Sequence, residues 1–329
     1  MPYQDAFERP IEYLRVSVTD RCNLRCAYCM PEEGVPNIPH DDILRYEELV
    51  RIVRVAVGMG LHHVRLTGGE PLVRKGLVDF VEQLGALSGL DDLSMTTNGI
   101  LLTRYAHPLA EAGLARVNIS LDTLRPERFQ RITRWGTLEQ VLQGREAALA
   151  AGLRPVKSNT VVVRGLNDDE VVDLARLTLQ PDWHVRFIEV MPLGEGALWS
   201  GNGVVPTTEI RTQVEEALGT LIPVRGERGA GPARYYQLPG AGGTLGFISP
   251  VTEHFCQACN RLRLTSDGKL LPCLMSNRAI NLRDALRAGA DDEALREIFR
   301  KAILAKPRGH RLEEEILPEC VLPMSCIGG

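Results

Sequence analysis

The chain has 329 residues, 44% hydrophobic and 24% charged, with a formal net charge of −4. That length suits one barrel-like domain plus an appendage, or two domains, and no apolar run approaches the roughly 18 residues of a membrane span. The mildly negative charge gives no footprint for a nucleic acid or a membrane surface, and MPYQDAFERP lacks the basic-then-apolar order of a signal peptide, so a cytoplasmic chain with neither partner is expected.

The first strand is expected in YLRVSVT, where Val16 and Val18 alternate with Arg15, Ser17 and Thr19. It runs into SVTDRCNLRCAYC, which spaces Cys22, Cys26 and Cys29 as C-x3-C-x2-C. RYEELVRIVRVAVGMG then carries apolar residues at the helical period and stops at glycine. HHVRLT is a second strand, followed by Gly68 and Gly69 of TGGEP, where missing Cβ atoms let backbone groups approach a ligand. DLSMTTN, ARVNISLD, PVKSNTVVV and WHVRFIEV are further strands, and DDEVVDLARLTL is a helix whose two opening aspartates suit a cap.

Strand, helix, strand in this rhythm predicts βαβ units and a parallel sheet. The strands alternate, whereas parallel strands covered on both faces read as continuous apolar runs. One face is therefore expected to be polar and to line a lumen of arginine, hydroxyl and amide groups, as in an opened barrel around a large polar ligand. An antiparallel sheet with one wet face is the alternative. Beyond about residue 195 the rhythm changes. RLRLTSDGKLLPC reads as a hairpin through Asp267 and Gly268, and NLRDALRAG and DDEALREIFRKAILA as helices. Two parts are expected, residues 1–199 and an α+β region over 200–329.

Six of the eight cysteines are clustered. Thiolates select zinc, copper(I) or iron–sulfur clusters, and a closed site of those kinds uses four ligands. Cys22, Cys26 and Cys29 number three, as do Cys256, Cys259 and Cys273 in C-x2-C-x13-C. Each trio leaves one metal position open, as a reactive centre does. The alternative is zinc completed by His40, His62 or His63. Cys320 and Cys326 stand singly, either as fourth ligands or as incidental thiols.

The first trio with Tyr28, followed by TGGEP, resembles the radical S-adenosylmethionine superfamily. RVSVTDRCNLRCAYC, VRLTGGEPL, TTNG, NISLDTL, RFIEVMP, CNRLRLTSDGKLLPC and the final IGG, in order over nearly the whole chain, resemble the GTP 3′,8-cyclase family, which opens molybdenum cofactor biosynthesis. The resemblance implies an incomplete (β/α)6 barrel with a C-terminal α+β region carrying a second iron–sulfur cluster. It implies a [4Fe-4S] cluster on Cys22, Cys26 and Cys29 that binds and reductively cleaves S-adenosylmethionine, contacted by Tyr28, Gly69, Ser120 and Met191. The 5′-deoxyadenosyl radical would take hydrogen from C3′ of GTP, and the resulting radical would attack C8 to give 3′,8-cyclo-7,8-dihydro-GTP. GTP would meet Arg15, Arg65, Thr96, Lys157, Arg186, Arg261 and Arg263, with Arg15, Arg261 and Arg263 catalytic, and its guanine edge would meet the open iron of a second [4Fe-4S] cluster on Cys256, Cys259 and Cys273. Gly328 and Gly329 would reach into the pocket, a frayed tail being the alternative. An unidentified electron donor, a downstream cyclic pyranopterin monophosphate synthase and a homodimer are the implied partners.

The residues agree independently, because cations on strands need an anionic counterpart and a triphosphate supplies one. A peptide-modifying radical enzyme with an auxiliary cluster and an iron–sulfur electron carrier are the competing readings.

Overall fold

Each of the six strands expected before residue 190 forms, as β1 (Tyr13–Ser17), β2 (His63–Thr67), β3 (Asp92–Thr97), β4 (Arg116–Ser120), β5 (Lys157–Val162) and β6 (His184–Glu189). Between them run α1 (Tyr46–Gly58), α2 (Leu77–Gly85), α3 (Leu102–Glu111), α4 (Pro126–Thr133), α5 (Leu138–Ala150) and α6 (Val171–Arg176). The computed structural model describes residues 3–199, 202–225, 231–276, 278–310 and 324–327. Its later elements are α7 (Thr207–Leu218), β7 (Ile222–Val224), β8 (Arg234–Gln237), β9 (Leu245–Ile248), β10 (Arg261–Leu264), β11 (Lys269–Leu271), β12 (Ile280–Asn281), α8 (Arg283–Arg287), α9 (Asp292–Leu304) and α10 (Met324–Ile327).

All the strands belong to one sheet, ordered β12-β11-β10-β1-β2-β3-β4-β5-β6-β9-β8-β7. From β10 through β9 every strand pairing is parallel, and the flanks are antiparallel, β10–β11–β12 at one side and β9–β8–β7 at the other. The mixed α/β architecture expected from the strand spacing holds, and an antiparallel arrangement of β1–β6 does not. The β10–β11 hairpin turns at Gly268, whose φ of 83° is the left-handed value glycine adopts without strain.

Alternation along each strand decides what faces where. Val16, Leu66, Val117 and Ile119 join a buried core with Leu49, Ile52 and Val53 of α1, Phe80 and Leu84 of α2 and Leu109 of α3. Burial of each such side chain contributes about 1.5–3 kcal/mol relative to exposure. α1 packs on α2 and α9, and α3 packs on α2 and α5, so the crossover helices cover this apolar face. The intervening polar residues are left to the other face.

Two helix starts show local chemistry at work. Thr137 and Gln140 close a capping box at α5, and Asp291 accepts the Ala294 N–H at 2.8 Å before α9. The expected cap by Asp168 and Asp169 does not form. Residues 168–170 make a 3-10 turn, Asp168 accepts from the Gly165 N–H at 2.7 Å, and Asp169 pairs with Arg125 at 2.9 Å and with Arg128. A backbone N–H takes Asp168 and arginine donors take Asp169, so neither carboxylate caps the helix end.

Candidate active site

Two adjoining clefts lie on the polar face, one slightly larger than the other. Residues of β1, β2, β5, β6 and β10 line the smaller of them together, so the sheet curves around it.

Cys22, Cys26 and Cys29 face the larger cleft from the loop after β1. That loop is pinned to the end of α4, with Arg25 N–H donating to Thr133 at 3.0 Å and Ala27 N–H to Ile132 at 2.9 Å. Arg134 donates to the carbonyls of Arg25 at 2.9 Å and Met30 at 3.0 Å. Among the described residues none of the three forms a disulfide, and each is half-buried. Burial and the carboxylate of Glu70 push the Cys22 thiol up to about 11, and burial together with Cys29 pushes Cys26 up. Neutral thiols are the cost of this environment when nothing electropositive is bound. The Leu24 N–H already donates to Cys22 Sγ at 3.3 Å, the kind of bond that steadies a metal thiolate. Three soft donors around a roomy cleft fit an iron–sulfur cluster with an open position.

Tyr28, Gly69, Ser120 and Met191 line this same cleft. Tyr28 donates to Asp122 at 2.6 Å, and burial raises that carboxyl to about 6. Gly69 has a packing reason beyond ligand access: a Cβ there would lie 2.4 Å from the Arg21 carbonyl oxygen. The cysteine loop crosses so closely that Gly69 N–H reaches Thr19 and Glu70 N–H reaches Arg21, both at 2.8 Å. Glu70 itself is buried and takes the Asn98 N–H at 2.6 Å and the Thr97 hydroxyl at 2.7 Å, joining β2 to β3 beneath the cleft.

Cys256 and Cys259 lie on the loop before β10, and Cys273 follows β11; all three face the second cleft. Burial works against ionisation of Cys259, but Arg261 and Lys306 outweigh it and bring the thiol down to about 6. This trio therefore suits an iron–sulfur cluster in a different way, with the Cys259 thiolate already favoured. Glu189, buried at the end of β6, takes the N–H groups of Val251 and Thr252 at 3.0 Å and so anchors the stretch leading to Cys256. Histidines stand here rather than at the first trio: donor atoms of His254, Cys256 and His310 lie within 4.8 Å of one another. Of the three considered earlier, His40 is exposed, His62 bonds the Gly89 carbonyl at 2.9 Å, and His63 sits beside Asp92. None of them lines the Cys22 cleft.

The second cleft is strongly cationic. Register places Arg263, Arg15 and Arg65 in one row across β10, β1 and β2, with Arg261 opposite Tyr13 two residues away on the same face. Arg186 enters from β6, where a Cβ on the facing Gly246 would lie 2.8 Å from its side chain. Burial, reinforced by its neighbour Arg263, lowers Arg15 well below the guanidinium norm; burial brings Arg65 and Arg263 each to about 10. Like charges set side by side in a buried cleft favour a polyanionic ligand.

Two of the expected contacts fall elsewhere. Thr96 lines the Cys22 cleft, and its buried hydroxyl has no partner among the described residues. Lys157 lies behind the cleft, 3.3 Å from the Tyr235 hydroxyl, and burial lowers it to about 8. Its folded-state value is below the unfolded one, so the penalty is complete below pH 8 and fades as pH rises toward 10.5. Lys157→Met is expected to stabilise the ligand-free chain at pH 7 by on the order of 2 kcal/mol and to abolish the gain in stability between those pH values, read by urea denaturation. Tyr235, Glu70, Glu189 and Lys306 escaped sequence reasoning, because a single titratable side chain carries no spacing signature.

Four residues line both clefts: Asn159, Ile188, Met191 and Met324. Ile327 of the IGG terminus is buried, while Gly328, Gly329 and Cys320 lie outside the described residues, as does the side chain of Cys326.

Residues 16–178 match the Radical SAM superfamily profile and residues 183–312 the Molybdenum Cofactor Synthesis C profile. The chain is 55% identical over 325 residues to the GTP 3′,8-cyclase of Heliobacterium modesticaldum, covering 99% of each, and 49% identical over 327 residues to that of Thermodesulfovibrio yellowstonii, covering 99% and 100%. In fold it is similar to Streptococcus suis SuiB bound to S-adenosylmethionine, with a TM-score of 0.59 at 16% identity over 96% of this chain and 77% of that one. No helix among the described residues is long and apolar enough to cross a membrane.

Proposed function

Because the chain belongs to the GTP 3′,8-cyclase family of radical S-adenosylmethionine enzymes, we propose that it converts GTP to 3′,8-cyclo-7,8-dihydro-GTP, the first step of molybdenum cofactor biosynthesis. The observation carrying this reading is that the two cysteine trios face adjoining clefts with a shared wall of Asn159, Ile188, Met191 and Met324. A group generated at one can act on a molecule held at the other without crossing solvent.

Cys22, Cys26 and Cys29 would hold a [4Fe-4S] cluster and Cys256, Cys259 and Cys273 a second one. When bound, the first cluster with S-adenosylmethionine supplies a carbon radical able to take a ribose hydrogen. The protein's part is position and exclusion of water. Tyr28, Gly69, Ser120 and Met191 surround S-adenosylmethionine, while Thr96, on the same cleft, and Lys157, paired with Tyr235, border GTP from behind. Arg15, Arg65, Arg186, Arg261 and Arg263 bind its phosphates and orient the ribose and base, which charge-assisted guanidinium bonds do with fixed geometry. Residues 1–199 then form the radical-generating part and 200–329 the part that presents the second cluster. An electron donor, a synthase that consumes the product, a homodimer and a cytoplasmic setting complete the reading.

The test is anaerobic turnover with reductant, S-adenosylmethionine and GTP deuterated at C3′. Deuterium is expected in 5′-deoxyadenosine, and cyclised product without such label overturns the assignment.

A further inference from the structure

Lys306 follows α9 and is 3% exposed, yet it reaches the lining of the second cleft. An ammonium has three N–H bonds, and two of them go to the segments that carry the second trio. Nζ donates to the Arg261 carbonyl at 2.7 Å, two residues after Cys259, and to the Pro272 carbonyl at 2.8 Å, immediately before Cys273. Just beyond it, Arg9 ties the same segment to Cys256. Its guanidinium donates to the Cys256 carbonyl at 2.6 Å, to Pro307 at 2.7 Å and to Arg308 at 3.1 Å, and Asp5 holds it at 2.6 Å.

A buried cation needs a counter-charge. Arg9 has Asp5, whereas Lys306 pairs with no carboxylate among the described residues and shares its cleft with Cys256, Cys259 and Cys273. Thiolate sulfur is then the counter-charge within its reach, which links the lysine to whatever those thiolates bind. A positive charge beside a cluster favours the electron-rich state.

We propose that Lys306 is a positioning residue of the second cluster, joining its cysteine loops and raising, through its charge, the reduction potential of that cluster alone. This rests on the two-cluster reading above. Lys306→Met keeps the length and removes the charge; Lys306→Arg keeps the charge.

The reconstituted full chain would be poised at a series of potentials, each cluster followed by electron paramagnetic resonance with iron counted in parallel. In Lys306→Met the reduced-to-oxidised ratio of the second cluster at a fixed potential is expected to drop about tenfold, about 59 mV for one electron, with the first cluster unmoved and Lys306→Arg close to wild type. An unmoved second cluster, or an equal shift in both, overturns the proposal. Should the Met variant not retain the second cluster, full iron in the Arg variant supports the charge role and loss in both refutes it. Wild-type protein with iron for one cluster only would refute the two-cluster reading itself, and Lys306's role with it.

Discussion

In a Cys26→Ala protein, cleavage of S-adenosylmethionine is expected to fall to background, whereas a Cys259→Ala protein should keep cleaving it and stop cyclising GTP. Both residues belong to cysteine trios on different loops, one pinned to α4 and the other anchored through Glu189 and Lys306. With separate anchors, loss of a ligand should be confined to its own centre. Each variant should lose about four of about eight iron atoms per chain, counted directly. The clefts nevertheless share a wall, so an uncoupled first centre will discharge into solvent or back onto its own cofactor. The readout is 5′-deoxyadenosine against cyclised nucleotide by chromatography. Equal loss of both products in both variants would contradict a division of labour between the trios.

Replacing Arg263 with methionine has the second large effect, and it has two opposite signs. Arg263, Arg15 and Arg65 stand in register on neighbouring strands, and burial, with Arg261 alongside, lowers Arg263 to about 10. A base whose folded-state value is depressed destabilises the fold wherever it is charged, so this penalty is complete below pH 10 and disappears only as pH climbs toward 12.5. Arg263→Met should therefore raise the ligand-free melting temperature by several degrees, on the order of 1 kcal/mol or more. On the proposed function the same change would also remove a charge-assisted bond to phosphate, worth about 1.5–3 kcal/mol, so GTP should bind roughly 10- to 100-fold more weakly. Scanning calorimetry and titration calorimetry on one preparation read both. A variant that is less stable and binds GTP as before would mean that the arginine row serves packing.

That opposition is a general feature of this cleft. Burial disfavours the charge on Arg15, Arg65 and Arg263, and a bound polyanion would offset that cost. Gly246, which leaves space for Arg186, and Tyr235, which two cations hold against its burial, belong to the same arrangement.

Much of this was legible along the chain. Alternation in β1, β2 and β4 told which residues face helices and which face a ligand, since a strand's period of two is a property of the backbone itself. Thiol spacing grouped six cysteines into two trios, and Asp267-Gly268 told where β10 turns into β11, because turn chemistry is local. Tertiary structure alone decided that β10 lies against β1, which turns separate arginines into one row, and that the two trios meet across Asn159 and Met191. Strand order and register are settled by contacts between distant segments, and no local pattern encodes them. The buried carboxylates Glu70 and Glu189, and the ammonium of Lys306, were invisible for the same reason: a charge acquires its role from what surrounds it once the chain has folded.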